Sequence, residues 1–349
     1  MFRSPMSLLL RGARALPKPS KAIIPRPATR LIATTRSLRK EDETKPGQFA
    51  RTDPSITVEY PAEKDMPSSK PVRRYKRTLG SFSMEGKVAV VTGGARGLLC
   101  RLGYVMTQAL VESGADVAIV DLNGEEAAKC AKNLLEHFKG GNPDADNLPK
   151  ITAHTADVSS PESVRTTISE ILEQHNAHID VLVTSAGFTE NFKAEDYPYD
   201  RMQKLWGVNV DGTYLCAVEV AKHMIGRKHP GSMVFIGSMS GSIVNVPQPQ
   251  APYNAAKAAV RHLASSLAVE WAPHGIRVNC ISPGYMLTAL TKKILDDNPE
   301  LKAKWTSLIP QGRMGNPEDL MGAVVFLASE ASNYVTGADL RVDGGYTVT

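Results

Sequence analysis

The stretch Val88-Ala89-Val90-Val91-Thr92-Gly93-Gly94-Ala95-Arg96-Gly97 decides the fold. Its apolar first half has the short, β-branched character of a strand buried on both faces. The glycines that follow let the backbone turn sharply and approach an anionic group at the start of the next helix, expected from about Gly103 to Glu112. Outward from this unit, strand-like runs alternate with helical ones. Val117–Val120 precedes Glu125–Phe138, Ile151–His154 precedes Pro161–Gln174, and Val181–Val183 precedes a long helix ending near Ile225. Met233–Ile236 precedes a helix through Tyr253 to Trp271, Ile276–Ile281 precedes Pro317–Leu327, and Ala338–Val342 comes last. That order predicts an α/β protein with a doubly wound, parallel, seven-stranded sheet and helices on both faces. Ser160 before Pro161 and Asn316 before Pro317, each followed by an acid, mark helix starts.

Residues 81–349 form a single domain on this reading. Residues 41–80, rich in Pro, Ser, Lys and Glu, are expected as a linker or surface arm. Residues 1–40 hold ten Lys or Arg and no Asp or Glu, the composition of a mitochondrial transit peptide, with a basic amphipathic helix around Met6 to Leu16. The expected location is the mitochondrial matrix, or the cytoplasm if the leader is not functional. The formal charge of +5 resides in that leader; the remainder carries 31 basic against 36 acidic side chains, which argues against nucleic acid as a partner. No apolar run is long enough to span a membrane. Cys100, Cys130, Cys216 and Cys280 are far apart and form no CxxC pair, so they are expected as core residues or free thiols, and no metal site is expected.

The second strand ends at Asp121, where a carboxylate can accept both ribose hydroxyls of NAD and would repel a 2′-phosphate. Arg96, beside the second glycine, pulls the other way, since a guanidinium pairs with the extra phosphate of NADP. The strand-end position of Asp121 favours NAD. Further along, Tyr253 and Lys257 share one helix face. A phenol has a pKa of about 10, and a nearby ammonium lowers it. The pair is therefore an acid–base device suited to moving a proton at neutral pH.

Taken together, Gly86 to Gly345 resembles the short-chain dehydrogenase/reductase family, whose fold is the Rossmann fold. Thr92–Gly97 is similar to the family's TGxxxGxG loop, with Gly93, Arg96 and Gly97 as cofactor contacts. Asp157 in Ala156-Asp157-Val158 matches the acid that contacts adenine. Ala186-Gly187 matches NNAG, although Thr184 and Ser185 replace the asparagines. Asn209 matches the catalytic asparagine, Tyr253 and Lys257 match YxxxK, and Pro283, Gly284 and Thr288 match PGxxxT beside the nicotinamide. The family serine is Ser238 by its place at the strand end, or Ser240 by its distance from Tyr253; the strand-end position favours Ser238.

Within the family, Glu190–Pro198, Gly237–Gly241, Ile243–Asn245 and Gly284–Lys292 are most similar to fungal enzymes that interconvert a polyol, D-arabinitol, and a ketopentose, D-ribulose, with NAD. The resemblance implies a small polyol or ketose as substrate. Ser238, Ser240, Tyr253, Asn245, Gln248 and Glu190 are its expected contacts, with Asn191 and Gln250 in the same polar set. It also implies a homo-oligomer, a tetramer, with the Tyr253 helix paired across a two-fold axis; Ala255, Ala258, Ala259, Ala264 and Ala268 on that helix either permit such close approach or pack only on the sheet. Two other readings stay open: a mitochondrial 3-oxoacyl thioester reductase using NADPH, and a non-catalytic nucleotide-binding protein.

The second alternative arises from the glycine loop. The family pattern places a third glycine two residues after Gly97, where this chain has Leu99. Omitting Leu99–Leu102 brings Gly103 into that place and shortens the spacing from Gly97 to Asp121 from 24 positions to 20. Leu99–Leu102 is therefore read as a four-residue insertion of about one helical turn, expected to weaken cofactor binding more than folding.

Overall fold

A computed structural model describes residues 78–95, 102–144 and 147–349. The expected leader, nearly all of the expected arm, Arg96, Gly97, Cys100 and most of the inferred insertion lie outside the described residues. The first described element is a 3₁₀ turn, Thr78–Phe82, in which Phe82 rests against Phe326 with ring centroids 6.3 Å apart.

The strands are β1 (Val88–Thr92), β2 (Asp116–Asp121), β3 (Ile151–Thr155), β4 (Val181–Thr184), β5 (Gly231–Ile236), β6 (Ile276–Pro283) and β7 (Asp339–Val342). All pair in parallel, in the order β3-β2-β1-β4-β5-β6-β7. The helices are α1 (Leu102–Glu112), α2 (Gly124–Gly141), α3 (Pro161–Gln174), α4 (Tyr199–Trp206), α5 (Gly212–Gly226), α6 (Ala251–Trp271), α7 (Ala289–Asp296), α8 (Pro299–Ser307) and α9 (Met321–Ala328).

Successive strand residues face opposite sides of the sheet, so each strand feeds two cores. In β1, Ala89 and Val91 pack with Met106, Leu110, Leu134 and Val324 of α1, α2 and α9, whereas Val90 packs with Ile168, Val220 and Val260 of α3, α5 and α6. Cys130, Cys216 and Cys280 are free thiols inside these cores, each pushed up to about 12, chiefly by burial.

The structure departs from the sequence expectation in four places. The long helix before β5 is not continuous: α4 and α5 are joined by a π-helical turn, Gly207–Asp211. Pro317–Leu320 forms a 3₁₀ turn, with Asn316 N donating to Asp319 Oδ2 at 2.7 Å, and only Met321–Ala328 is α-helical. Two short helices, α7 and α8, fill the stretch after β6. They close a third apolar cluster in which Trp305 stacks on Tyr285 at 4.3 Å. Finally, Ala264 and Ala268 of α6 are buried in the sheet-facing core, so only Ala255, Ala258 and Ala259 of the expected contact set keep surface toward solvent.

At the N-terminal edge of the sheet, buried Asp180 ties three chain segments together. Its carboxylate accepts from Val88 N (2.9 Å) and His229 Nε2 (2.8 Å) and pairs with Lys87 Nζ (3.4 Å). Asp180→Ala orphans the Val88 amide and strips an acceptor from the partly exposed Lys87 and His229 side chains, so it is expected to cost about 2–3 kcal/mol of stability by urea unfolding. A change within about 0.5 kcal/mol, the range of an ordinary surface substitution, would show the cluster to be incidental.

Candidate active site

The expected site residues gather at the C-terminal edge of the sheet, where the strand order reverses between β1 and β4. Gly93 leaves β1 with φ +66°, and a Cβ there would lie 2.7 Å from Ala186 Cα, so the turns after β1 and β4 touch backbone to backbone. Ala186 N donates to Thr92 Oγ1 at 3.3 Å and Ser185 N to Thr92 O at 3.2 Å, which fixes this contact. Gly103, in the first turn of α1, presses on the same point: a Cβ would sit 2.2 Å from Gly93 O. The close helix–strand approach therefore falls on Gly103, the glycine that the spacing argument brings into the third position.

Gly93, Asp121, Asp157, Ala186 and Gly187 line a cleft of about 350 Å³. Asp121 is buried at the end of β2, with Oδ2 accepting from Ala95 N (3.3 Å) and Oδ1 from Asn123 N (3.2 Å). These bonds hold the carboxylate in place and leave lone pairs on both oxygens for hydroxyl donors. Asp157 stands exposed after β3, its Oδ1 held by Ser159 N (2.9 Å) and Ser159 Oγ (2.6 Å). A glycine-lined backbone cradle with a fixed acid at the end of β2 fits a dinucleotide.

Asn209 sits in the π-helical turn and is fully buried. Its Nδ2 donates to Phe188 O and Leu205 O, both at 3.0 Å, while Oδ1 has no protein partner. A Cβ on Gly187 would lie 2.6 Å from that oxygen and 3.5 Å from Lys257 Nζ, so the orphan acceptor and the ammonium face the same small space. A buried acceptor left this way is a place for water. Lys257 is buried, donates to Ile236 O at 2.9 Å, and has Nζ 5.7 Å from the centre of the Tyr253 ring.

Ser238, two residues beyond β5, caps a 3₁₀ turn, Met239–Gly241, that packs on α6; a Cβ on Gly241 would lie 2.7 Å from the Lys257 carbonyl carbon. Ser238 remains half-buried and Ser240 is buried beneath it. Ser238 Oγ donates to Ser240 Oγ at 3.0 Å and accepts from Ser240 N at 3.1 Å.

Other expected residues are placed differently from one another. Pro283 ends β6 and Gly284 packs on Asp343, where a Cβ would meet Cα at 2.7 Å. Thr288 caps α7 by accepting from Thr291 N at 3.2 Å. Glu190 lines the cleft, but its carboxylate pairs with both Arg201 Nε (3.2 Å) and Arg201 Nη2. Asn245 is turned inward, donating to Tyr285 Oη at 3.3 Å, and Gln248 Nε2 reaches the same hydroxyl at 3.3 Å. The sequence reading missed Arg201 and Lys204, which also line the cleft, and the role of Tyr285; no motif or spacing flags them.

A family model described as "Enoyl-(Acyl carrier protein) reductase" matches residues 99–347. The D-arabinitol 2-dehydrogenase [ribulose-forming] of Scheffersomyces stipitis is 42% identical over 277 residues, 78% of this chain and 98% of that one. A sorbose reductase of Candida albicans is 41% identical over 294 residues, 84% of this chain and 98% of its own length. The crystal structure of a gluconate 5-dehydrogenase from Burkholderia cenocepacia in complex with NADP and tartrate is similar at a TM-score of 0.69 and 34% identity, over 78% of this chain and all of that one. Fold, site and relatives agree: the chain belongs to the short-chain dehydrogenase/reductase family. It is an NAD(P)-dependent oxidoreductase acting on a CH–OH group.

Proposed function

We propose that this enzyme interconverts a polyol and a ketose, with D-arabinitol and D-ribulose as the preferred pair, using NAD(H). The observation that supports the reading is the approach of Asn209 Oδ1 and Lys257 Nζ to one point beside Gly187, with that Nζ 5.7 Å from the Tyr253 ring centre, next to a cleft whose fixed acid is Asp121. Relatives named for arabinitol and sorbose support the substrate class.

In the oxidative direction, Tyr253 takes the proton of the substrate hydroxyl. Lys257 holds positive charge near that phenol and favours its ionised form. Ser238 donates to the substrate oxygen and fixes its position. Asn209 Oδ1 holds a water beside Lys257, through which the proton leaves. The nicotinamide, when bound, accepts or supplies the hydride. Gly93, Ala186, Gly187 and Asp121 would hold the dinucleotide, with Arg96, Gly97, Asp157, Pro283, Gly284 and Thr288 as further contacts. Gln248 and Glu190 complete the substrate side, with Ser240 and Asn245 in the layer behind Ser238.

Initial rates over a panel of five- and six-carbon polyols and ketoses, with each cofactor, test this. The expected result is the highest kcat/KM for D-arabinitol and at least tenfold preference for NAD, reduced in Asp121→Ala. A six-carbon ketose as best substrate, or equal efficiency with NADP, would overturn the respective part. For the chain as a whole, we also propose import into the mitochondrial matrix by residues 1–40 and assembly as a homotetramer. Cytosolic recovery of the full chain, or a monomer by light scattering at micromolar concentration, would contradict these.

A further inference from the structure

Four polar side chains behind Ser238, Gln250, Ser240, Asn245 and Asn254, are joined by hydrogen bonds, and Gln250 is their hub. Gln250 is buried just before α6, at the N-cap position, yet its side chain does not cap the helix. The two protons of its amide nitrogen are instead shared among Asn245 Oδ1 (2.9 Å), Asn254 Oδ1 (3.0 Å) and, by the longest contact, Ser240 Oγ (3.4 Å). Asn254 adjoins Tyr253, and Ser240 touches Ser238, so one side chain registers the serine turn against the tyrosine helix.

We propose that Gln250 is a positioning residue for the reaction: its amide donates to Ser240, Ser240 in turn donates to Ser238, and the Ser238 proton is thereby directed at the substrate oxygen. The inference rests on the roles given to Ser238 and Tyr253 above. Ser238 Oγ carries one proton and two lone pairs. One lone pair is taken by Ser240 N, and without substrate the proton goes to Ser240 Oγ. When a substrate oxygen occupies the cleft, Ser238 can serve it only by withdrawing that proton from Ser240. The vacated bond is then remade in the opposite sense, from the Ser240 hydroxyl to the remaining lone pair of Ser238. An amide nitrogen can only donate, so Gln250 favours this sense: it occupies the oxygen of Ser240 and polarises its O–H outward. Donors aligned head to tail strengthen one another.

Two variants test the inference, assayed by reduction of an activated diketone with NADH. That reaction needs the serine and tyrosine but no polyol contact, so activity here with none on polyols would overturn the polyol reading and leave this test intact. Gln250→Glu keeps the shape but, when ionised, puts an acceptor against Ser240. Its kcat relative to wild type is expected to fall at least tenfold at pH 9 and to recover as pH falls toward 5 and the introduced carboxyl takes up its proton. Gln250→Leu removes the donor altogether, and its kcat is expected to fall about tenfold, the size of one ordinary hydrogen bond, at every pH. In both variants the NADH dissociation constant, read by fluorescence, is expected to stay near wild type, while Tm falls modestly because buried acceptors lose their donor. Wild-type kcat in both variants, or a loss in Gln250→Glu that does not change with pH, would overturn the proposal. So would losses of kcat matched by equal losses of NADH affinity.

Discussion

Tyr253→Phe is expected to lower turnover by about 10²–10⁴-fold, the usual worth of a positioned acid–base group, while binding of NADH and Tm stay near wild type. The reason for the separation lies in how the residue is held. Its ring packs on α6 with Lys257 Nζ 5.7 Å from the ring centre, and phenylalanine retains that ring. Lys257 also has an anchor apart from the ring, its bond to Ile236 O. Only the proton-carrying oxygen is lost. Steady-state rates paired with a fluorescence titration of NADH measure the two effects in one preparation. A variant within about tenfold of wild type would fall below the acid–base range and remove Tyr253 from its role.

Gly103→Ala is expected to weaken NADH binding at least tenfold and to lower stability by about 1–3 kcal/mol, the range for overpacking a tight contact. Two effects compete. In a helix, alanine is intrinsically better than glycine by about 1 kcal/mol. Against that, the new Cβ would lie 2.2 Å from the carbonyl oxygen of Gly93 and 2.9 Å from Ser185 Oγ. The first neighbour is backbone held in a positive-φ turn and cannot step aside without moving the cradle itself, so the clash outweighs the propensity. Gly140 in α2 has nothing within 4 Å of an added Cβ, so Gly140→Ala is the matched control and is expected to be neutral or stabilising. Equal behaviour of the two variants in thermal melts and NADH titration would show that α1 has room to shift.

The strands were legible because their signal is local. Runs such as Val181–Val183 and Met233–Ile236 are apolar and β-branched because both faces of the sheet are covered, and the observed strands lie within a residue or two of these runs. α3 starts at Pro161 because Ser160 caps it, accepting from Ser163 N, and that signal too is written in neighbouring residues. The motif residues were legible for a related reason: in a parallel sheet they follow strand ends, which the sequence marks by the change from apolar to Gly, Ser and Asp. What could not be read depends on distant partners. Asn245 and Gln248 look like open loop residues until Tyr285, from beyond β6, brings its hydroxyl between them. α7 and α8 owe their positions to the stack of Trp305 on Tyr285, about twenty residues away in the chain. Gln250 shows no motif at all, and its importance appears only from the three acceptors around it.

The π-helical turn at Gly207–Asp211 makes the site sensitive to chain length. The π turn gives the chain a surplus residue there relative to an uninterrupted α-helix running from Tyr199 to Gly226. Each residue of an α-helix turns the chain by about 100°. Deleting one residue from the turn would let the helix straighten with regular hydrogen bonds and the flanking segments still facing as they do, because the π turn has absorbed the surplus, but it would reset the residues of the turn itself. Asn209 would leave the space it shares with Lys257. Such a deletion would pass any screen for folding and fail a screen for turnover, so at this point in the chain the count of residues matters more than their identity.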